Sequence, residues 1–164
     1  MSAVYASYNT VERQNMWLHL TQLDIADSQP WLVGGDFNTI AEPEEKLGGA
    51  QADRNAMNQF RNFQNQAALR DLGFEGSKYN WCSDNPREMI WERLDRFLGN
   101  NTAMNLHFNI KHGPRSPSDH CPLLCTIQEQ RKWKSSFKFL DMWTTHNECL
   151  NVVKQAWIIN TKLP

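Results

Sequence analysis

Apolar and polar positions alternate in short runs that follow one another as strand, helix and strand. Ala3-Val4-Tyr5-Ala6-Ser7 reads as a strand. Asn9 and Thr10 offer a cap to a helix whose broad apolar face carries Val11, Trp17, Leu20 and Leu23, with Glu12 near its positive end. Pro30 closes the connection and Trp31-Leu32-Val33 opens a second strand, so this opening segment has the size and order of a right-handed βαβ crossover. Asp53 then caps a helix with Met57, Phe60, Phe63 and Ala67 at helical spacing, closed between Leu69 and Gly73. Tyr79-Asn80-Trp81 reads as a strand, 83–86 as a turn, and Met89 to Leu98 as one longer strand. A short polar helix near Asn101 to Leu106, a strand from Phe108 to Lys111 and a last strand from Cys121 to Ile127 complete a mixed α/β pattern.

The central strand runs into Gly34-Gly35-Asp36-Phe37-Asn38. Alternation along an extended chain puts Asp36 and Asn38 on one face, and the glycines let a strand or a ligand come close just before the acid. That is one way to present a phosphate or metal site, and an ordinary strand followed by an Asp/Asn turn is the other. In the long strand, Trp91, Arg93, Asp95 and Phe97 share a face. Asp95 among large apolar or cationic neighbours needs a partner, either Arg93 or Arg96 locally or a histidine from elsewhere. His120, delivered by the loop Pro114 to Ser118, is able to transfer a proton or donate to a phosphate oxygen near neutral pH. Adjacent Asp119 points the other way on an extended backbone. A zinc set from His112, His120, Cys121 and Cys125 competes weakly, because the two cysteines read as small apolar residues on a strand.

The 164 residues fit one domain with a sizeable core, and their net charge of −1 provides no global basic field for nucleic acid, so any such contact has to be local. Four dispersed cysteines and the lack of a long apolar run point to a reduced, intracellular protein with no membrane partner. The acidic run around Glu44-Glu45 reads as a solvated loop. From Arg131 onward Arg131, Lys132, Lys134 and Lys138 are interleaved with Trp133, Phe137 and Phe139, ahead of an amphipathic helix carrying Trp143, Leu150, Val153 and Trp157. This reads more as a connector with snorkelling lysines than as a nucleic-acid contact. The expected division is a catalytic-type segment over 1–127 and a basic-aromatic linker with its helix over 128–164.

Gly34-Gly35-Asp36-Phe37-Asn38, Arg93-Leu94-Asp95-Arg96 and Ser118-Asp119-His120-Cys121-Pro122 occur in the order seen in the endonuclease/exonuclease/phosphatase superfamily, and the chain resembles its apurinic-endonuclease-like branch. Glu44-Glu45-Lys46-Leu47-Gly48-Gly49, Asp71 to Gly76 and Tyr79-Asn80-Trp81 make it similar to the endonuclease domain of plant LINE-type (non-LTR) retrotransposons. The resemblance implies a DNase I-like four-layer α/β sandwich, a mixed sheet with flanking helices, of which this chain matches the C-terminal half. It implies a magnesium-dependent phosphodiester hydrolase, with manganese as an alternative, acting on DNA in the nucleus. Carried over, Asp36 orients the attacking water, Asn38 bonds the phosphoryl oxygens, Asp95 orients His120 against the scissile phosphate, and Tyr5 lies near the phosphate or leaving oxygen. Asp119 lies beside the metal, with Asp36 and Asn38 as further metal contacts. The family's earlier metal-binding asparagine and glutamate have no counterpart here, and neither Glu12, Glu44 nor Glu45 has a warrant to replace them. The expectations are an incomplete metal site, an uncovered sheet face open to self-association, and two function classes: a hydrolase, with a same-fold phosphatase as a variant, or a non-catalytic binding remnant.

Overall fold

The computed structural model describes residues 1–127 other than 24, 27, 86 and 116, together with 138 and 140–158. They fall in two compact units, Met1–Gln130 and Arg131–Pro164. In chain order the first unit contains β1 (Ser2–Tyr5), α1 (Thr10–Thr21), β2 (Leu32–Asp36), β3 (Lys46–Leu47), α2 (Arg54–Gln66), β4 (Arg70–Asp71), β5 (Trp81–Cys82), β6 (Trp91–Glu92), β7 (Asp95–Gly99), α3 (Asn101–Met104), β8 (Phe108–His112) and β9 (Leu123–Ile127). The second unit has a 3-10 turn at Asp141–Thr145 and α4 (Cys149–Ile158). The basic-aromatic stretch at 131–137, Phe139 and the Trp157 side chain lie outside the described residues.

The main sheet has the order β1-β2-β7-β4, with β1 parallel to β2 and the remaining pairs antiparallel. Its register sets Tyr5 beside Asp36 and Asp36 beside Asp95, so three strands present one polar row at a sheet end. Cross-strand neighbours share a face. Val4, Val33 and Leu98 therefore look together toward the helices, where they pack with Trp17 and Leu20 of α1 and Phe60 and Phe63 of α2. Trp17 stacks on Phe63 at 4.7 Å between centroids, and Phe37 meets Phe60 at 5.1 Å. Tyr5, Asp36 and Asp95 belong to the opposite face. There Ala3 and Tyr5 are exposed at the β1 edge, while Phe97 is buried over Gly34.

Both long helices start where capping chemistry dictates. Asn9 Oδ1 accepts from Val11 N–H and Glu12 N–H, and Asp53 Oδ1 from Asn55 N–H and Ala56 N–H. α2 buries Met57, Phe60 and Phe63 as its spacing requires. In α1 the expected face is shifted: Val11 is 63 % exposed and Arg13 is buried in its place. Arg13 survives there because its guanidinium donates to the carbonyls of Ser7 and Tyr8, at 3.0 and 2.9 Å.

The expected single strand from Met89 to Leu98 is two strands in two sheets. β6 pairs with β3 and β5, β7 with β2 and β4. Arg93-Leu94 turns the chain between them, so Arg93 and Arg96 converge where strict alternation would separate them. Both reach Glu45 and Asp71: Arg93 donates to Glu45 Oε1 at 2.9 Å and Asp71 Oδ1 at 2.8 Å, and Arg96 to Glu45 Oε2 at 2.9 Å and Asp71 Oδ2 at 3.2 Å. Arg93 also lies over Phe74, and Arg96, 1 % exposed, over Phe60. Glu45 is thus no member of a solvated loop. Burial pushes its carboxyl up, and the bonds and charges of Arg96 and Arg93, with the Ala41 N–H, more than reverse this, holding it below the usual carboxylate range.

Removing one charge from this cluster leaves two buried guanidiniums short of a partner. Glu45→Gln is expected to cost roughly 3–5 kcal/mol in urea-induced unfolding at neutral pH. Because the folded pKa of Glu45 is lowered, its contribution is present above the unfolded carboxylate value and fades as pH falls through the folded one. The gap between wild type and Glu45→Gln should therefore shrink in acid, and a gap that is constant with pH would refute this assignment.

Candidate functional site

β2 reaches its last residue through two glycines that are there for packing. Gly35 sits at φ 140°, and a Cβ on it would collide with the Val4 carbonyl of β1. A Cβ on Gly34 would occupy the Phe97 ring. Strand and side chain, not ligand, take the space the glycines leave.

After Phe37 the chain leaves the extended conformation: Asn38 is at φ 46°, in the left-handed region that asparagine tolerates. Asp36 and Asn38 meet through this turn and not through strand alternation. Asn38 N–H donates to Asp36 Oδ1 at 2.8 Å, and Asn38 Nδ2 donates to Asp36 Oδ2 at 3.0 Å and to the Ala6 carbonyl at 2.6 Å. The same contacts clip β1 to the site, as does Ala6 N–H on the Asp36 carbonyl.

Asp95 opens β7 directly opposite Asp36. Its partner is the histidine and neither neighbouring arginine: His120 Nδ1 lies 2.8 Å from Asp95 Oδ2, and His120 Nε2 lies 4.0 Å from Asp36 Oδ2. An ionised carboxylate only accepts, so Nδ1 carries the proton and Nε2 faces Asp36. The loop that brings His120 is stitched to β5 by Cys82 N–H to the Asp119 carbonyl and Cys121 N–H to the Asn80 carbonyl, at 3.0 and 2.7 Å. Asp119 Oδ2 accepts from the Trp81 indole at 3.1 Å. This bond, first, holds Asp119 below the usual carboxylate range.

Burial drives the pKa values of Asp36 and Asp95 up. The Asn38 N–H and the charge of His120 pull Asp36 back, while Asp119 adds to the rise; at Asp95 the His120 bond and charge pull down while Asp36 pushes up. Tyr5 stands at the exposed end of the row, 76 % accessible. Tyr8, which the sequence reading passed over, is also at this rim: burial first, then the negative charges of Tyr5, Asp36 and Asp119 raise its phenol. A tyrosine in a loop after a strand carries no pattern that would have marked it. Asn80, which the sequence places on a strand and within one of the segments that carry the family resemblance but to which it gives no role, is a fully buried amide just outside β5.

Cation ligands are the thinnest part of the site. Among the described residues no three His, Cys, Asp or Glu side chains are grouped so that they could hold a metal ion. The weak zinc set comes apart because His112 is committed to Ser77 and Asn80 inside the fold. The Asn38 amide turns its nitrogen to Asp36, and Glu45 is taken up by arginines. Among the described residues Asp36 and Asp119 share one electrostatic neighbourhood, and two carboxylates do not by themselves amount to a magnesium cage.

Since the folded pKa values of Asp36 and Asp95 are raised, their stability contribution is complete below the unfolded carboxylate value and lost as pH rises through the folded one. Asp95→Asn keeps an acceptor for His120 Nδ1–H and removes the charge. Relative to wild type, it is expected to gain unfolding free energy as pH goes from acid to neutral, read by urea titration at both. A variant that instead becomes steadily less stable toward neutral pH would reverse the sign and the argument.

Residues 2–120 match the model of the Endonuclease/Exonuclease/phosphatase family. Among solved structures, the endonuclease domain of TRAS1, a telomere-specific non-LTR retrotransposon, aligns with a TM-score of 0.56 and 14 % identity over 79 % of this chain. The chain spans 56 % of that domain's length. No curated protein matches it. The sheet, its flanking helices and the site at its end are a DNase I-like α/β fold, and the chain belongs to the endonuclease/exonuclease/phosphatase family.

Proposed function

We propose that the chain carries the water- and phosphate-facing part of a phosphodiester hydrolase, a DNA endonuclease of plant LINE-type retrotransposon origin, and that it corresponds to the C-terminal half of such a domain. The observation that supports this most is the alignment of Asp95, His120 and Asp36, with Nδ1 held at 2.8 Å and Nε2 turned toward the second acid. An imidazole whose back nitrogen is tied to a buried carboxylate is held in one tautomer and one orientation. Its front nitrogen then serves as donor to a phosphate oxygen, where negative charge grows as the phosphodiester is attacked.

In this reading Asp36 accepts from and aligns the attacking water, and its raised pKa suits a base working toward neutral pH. Asn38 acts first by fixing Asp36, since both of its amide hydrogens already serve Asp36 and Ala6. Tyr5 and Asp119 flank the phosphate from the two sides of the row. The family's chemistry uses a divalent cation, magnesium in the resemblance, which would neutralise phosphate charge. The described residues do not fit that ion by themselves, so the steps above run through side chains alone. A nuclear location and self-association through the sheet face exposed at Ala3 and Tyr5 belong to the same proposal.

Two measurements separate the parts. In magnesium buffer, a fluorescent DNA duplex should bind wild type about tenfold more tightly than His120→Ala, the loss expected for a charge-assisted phosphate contact; equal affinities would overturn the phosphate-facing role. Supercoiled plasmid should stay un-nicked by the isolated chain, because loss of a preorganised electrostatic element costs on the order of 3 kcal/mol or more in the transition state. Robust nicking that Asp36→Ala and His120→Ala both abolish would show a complete cation site in this chain.

A further inference from the structure

Beside the site lies a fully bonded side chain that is not among the proposed catalytic groups. Asn80 is 1 % exposed. Its Oδ1 accepts from Leu94 N–H at 2.9 Å and from Asp95 N–H at 3.1 Å, which fixes the orientation of the amide. Its Nδ2 donates to the Asp95 carbonyl at 2.6 Å and faces His112 Nε2 at 3.4 Å. All four hydrogen-bonding positions of one carboxamide are in use. Its own backbone carbonyl takes Cys121 N–H, the residue after His120. One residue therefore grips both ends of the Asp95–His120 pair.

His112 completes the arrangement. Its Nδ1 stands 2.6 Å from the Ser77 carbonyl and so must carry the proton, leaving Nε2 as a lone pair for the Asn80 amide. The ring is stacked on Phe74 at 4.4 Å and 2°. Burial, first, keeps the ring from charging, with Arg93 and Arg96 acting in the same direction and Asp71 and the Ser77 bond against it.

We propose that Asn80, braced by His112, is the positioning residue that holds Asp95 in line with His120. No other polar side chain of similar size offers two acceptor and two donor directions in one plane: aspartate offers no donor, and serine or threonine a single one. The inference rests on the functional reading for its purpose, since the pair it positions is the catalytic one there, but not for its test.

The test follows the His120 Nδ1 proton by NMR in the full 164-residue chain, without metal or nucleic acid. Wild type should show a downfield, slowly exchanging imidazole proton that His120→Gln removes, distinct from the His112 Nδ1 proton bonded to Ser77, which that variant leaves in place. Asn80→Asp keeps size and shape but loses both donors, and should speed exchange of this proton about tenfold, the equivalent of one net hydrogen bond. The Trp31 indole proton, bonded to Ser2 at the far end of the sheet, should not change. His112→Phe preserves the stack on Phe74 and removes both the lone pair that faces Asn80 and the Nδ1–H bond to Ser77; it should move the same proton in the same direction by a smaller factor. Absence of the resonance in wild type overturns the proposal. So does unchanged exchange in Asn80→Asp, or, if that variant unfolds, unchanged exchange in His112→Phe. A chain that never binds DNA but shows these shifts defeats the functional reading and leaves the positioning role standing.

Discussion

Two carboxylates, Asp36 and Asp95, stand opposite each other on adjacent strands, and most of the local structure exists to make that juxtaposition tolerable. Like charges directly across a sheet are unfavourable, and burial sharpens the repulsion. His120 lies against Asp95 and in range of Asp36, and the Asn38 turn wraps the oxygens of Asp36 in two N–H donors. The result is a pair of acids with elevated pKa values and a histidine locked between them. Such a group is a cost to the fold at neutral pH.

That cost is offset on the other side of the same strand. Arg96, one residue beyond Asp95, points away from the site to the helix face, where it joins Arg93, Glu45 and Asp71 in a buried, aromatic-covered charge cluster. Glu45 precedes β3 and Asp71 ends β4, so the cluster ties the edge strand and the second sheet to β7. With β7 immobilised from behind, and Asn80 holding its first residue from the side, Asp95 has little freedom to leave the histidine. Rigid strand ends, not loops, supply Asp36 and Asp95. His120 comes from a loop, together with Asp119, and backbone bonds to β5 and its neighbour constrain that loop on both sides of the ring.

Much of this was legible before any coordinates. Capping residues at Asn9 and Asp53 and the aromatic spacing of Phe60 and Phe63 specify α1 and α2, and the order of three short motifs picks out Asp36, Asn38, Asp95 and His120. What was illegible has physical reasons. Period-two alternation cannot reveal that 91–98 is shared by two sheets, because each half alternates correctly by itself. Glu45 in an acidic run looks solvated until the arginines that bury it arrive from 48 and 51 residues away. Arg13 reads as polar surface because the carbonyls that satisfy it belong to a turn, not to a charge pattern. Asn38 reached its expected partner by a left-handed turn that a strand model forbids.

The family and the fold follow from the match over residues 2–120 and from the α/β architecture; the proposed catalytic role rests on the orientation of one imidazole. A crystal structure of the chain with a short DNA duplex and magnesium tests it most directly. The account predicts a backbone phosphate oxygen within hydrogen-bond distance of His120 Nε2, on the side of the ring that faces Asp36, with Nδ1 still bonded to Asp95. DNA seated elsewhere on the surface, with His120 contacting no phosphate, would contradict it.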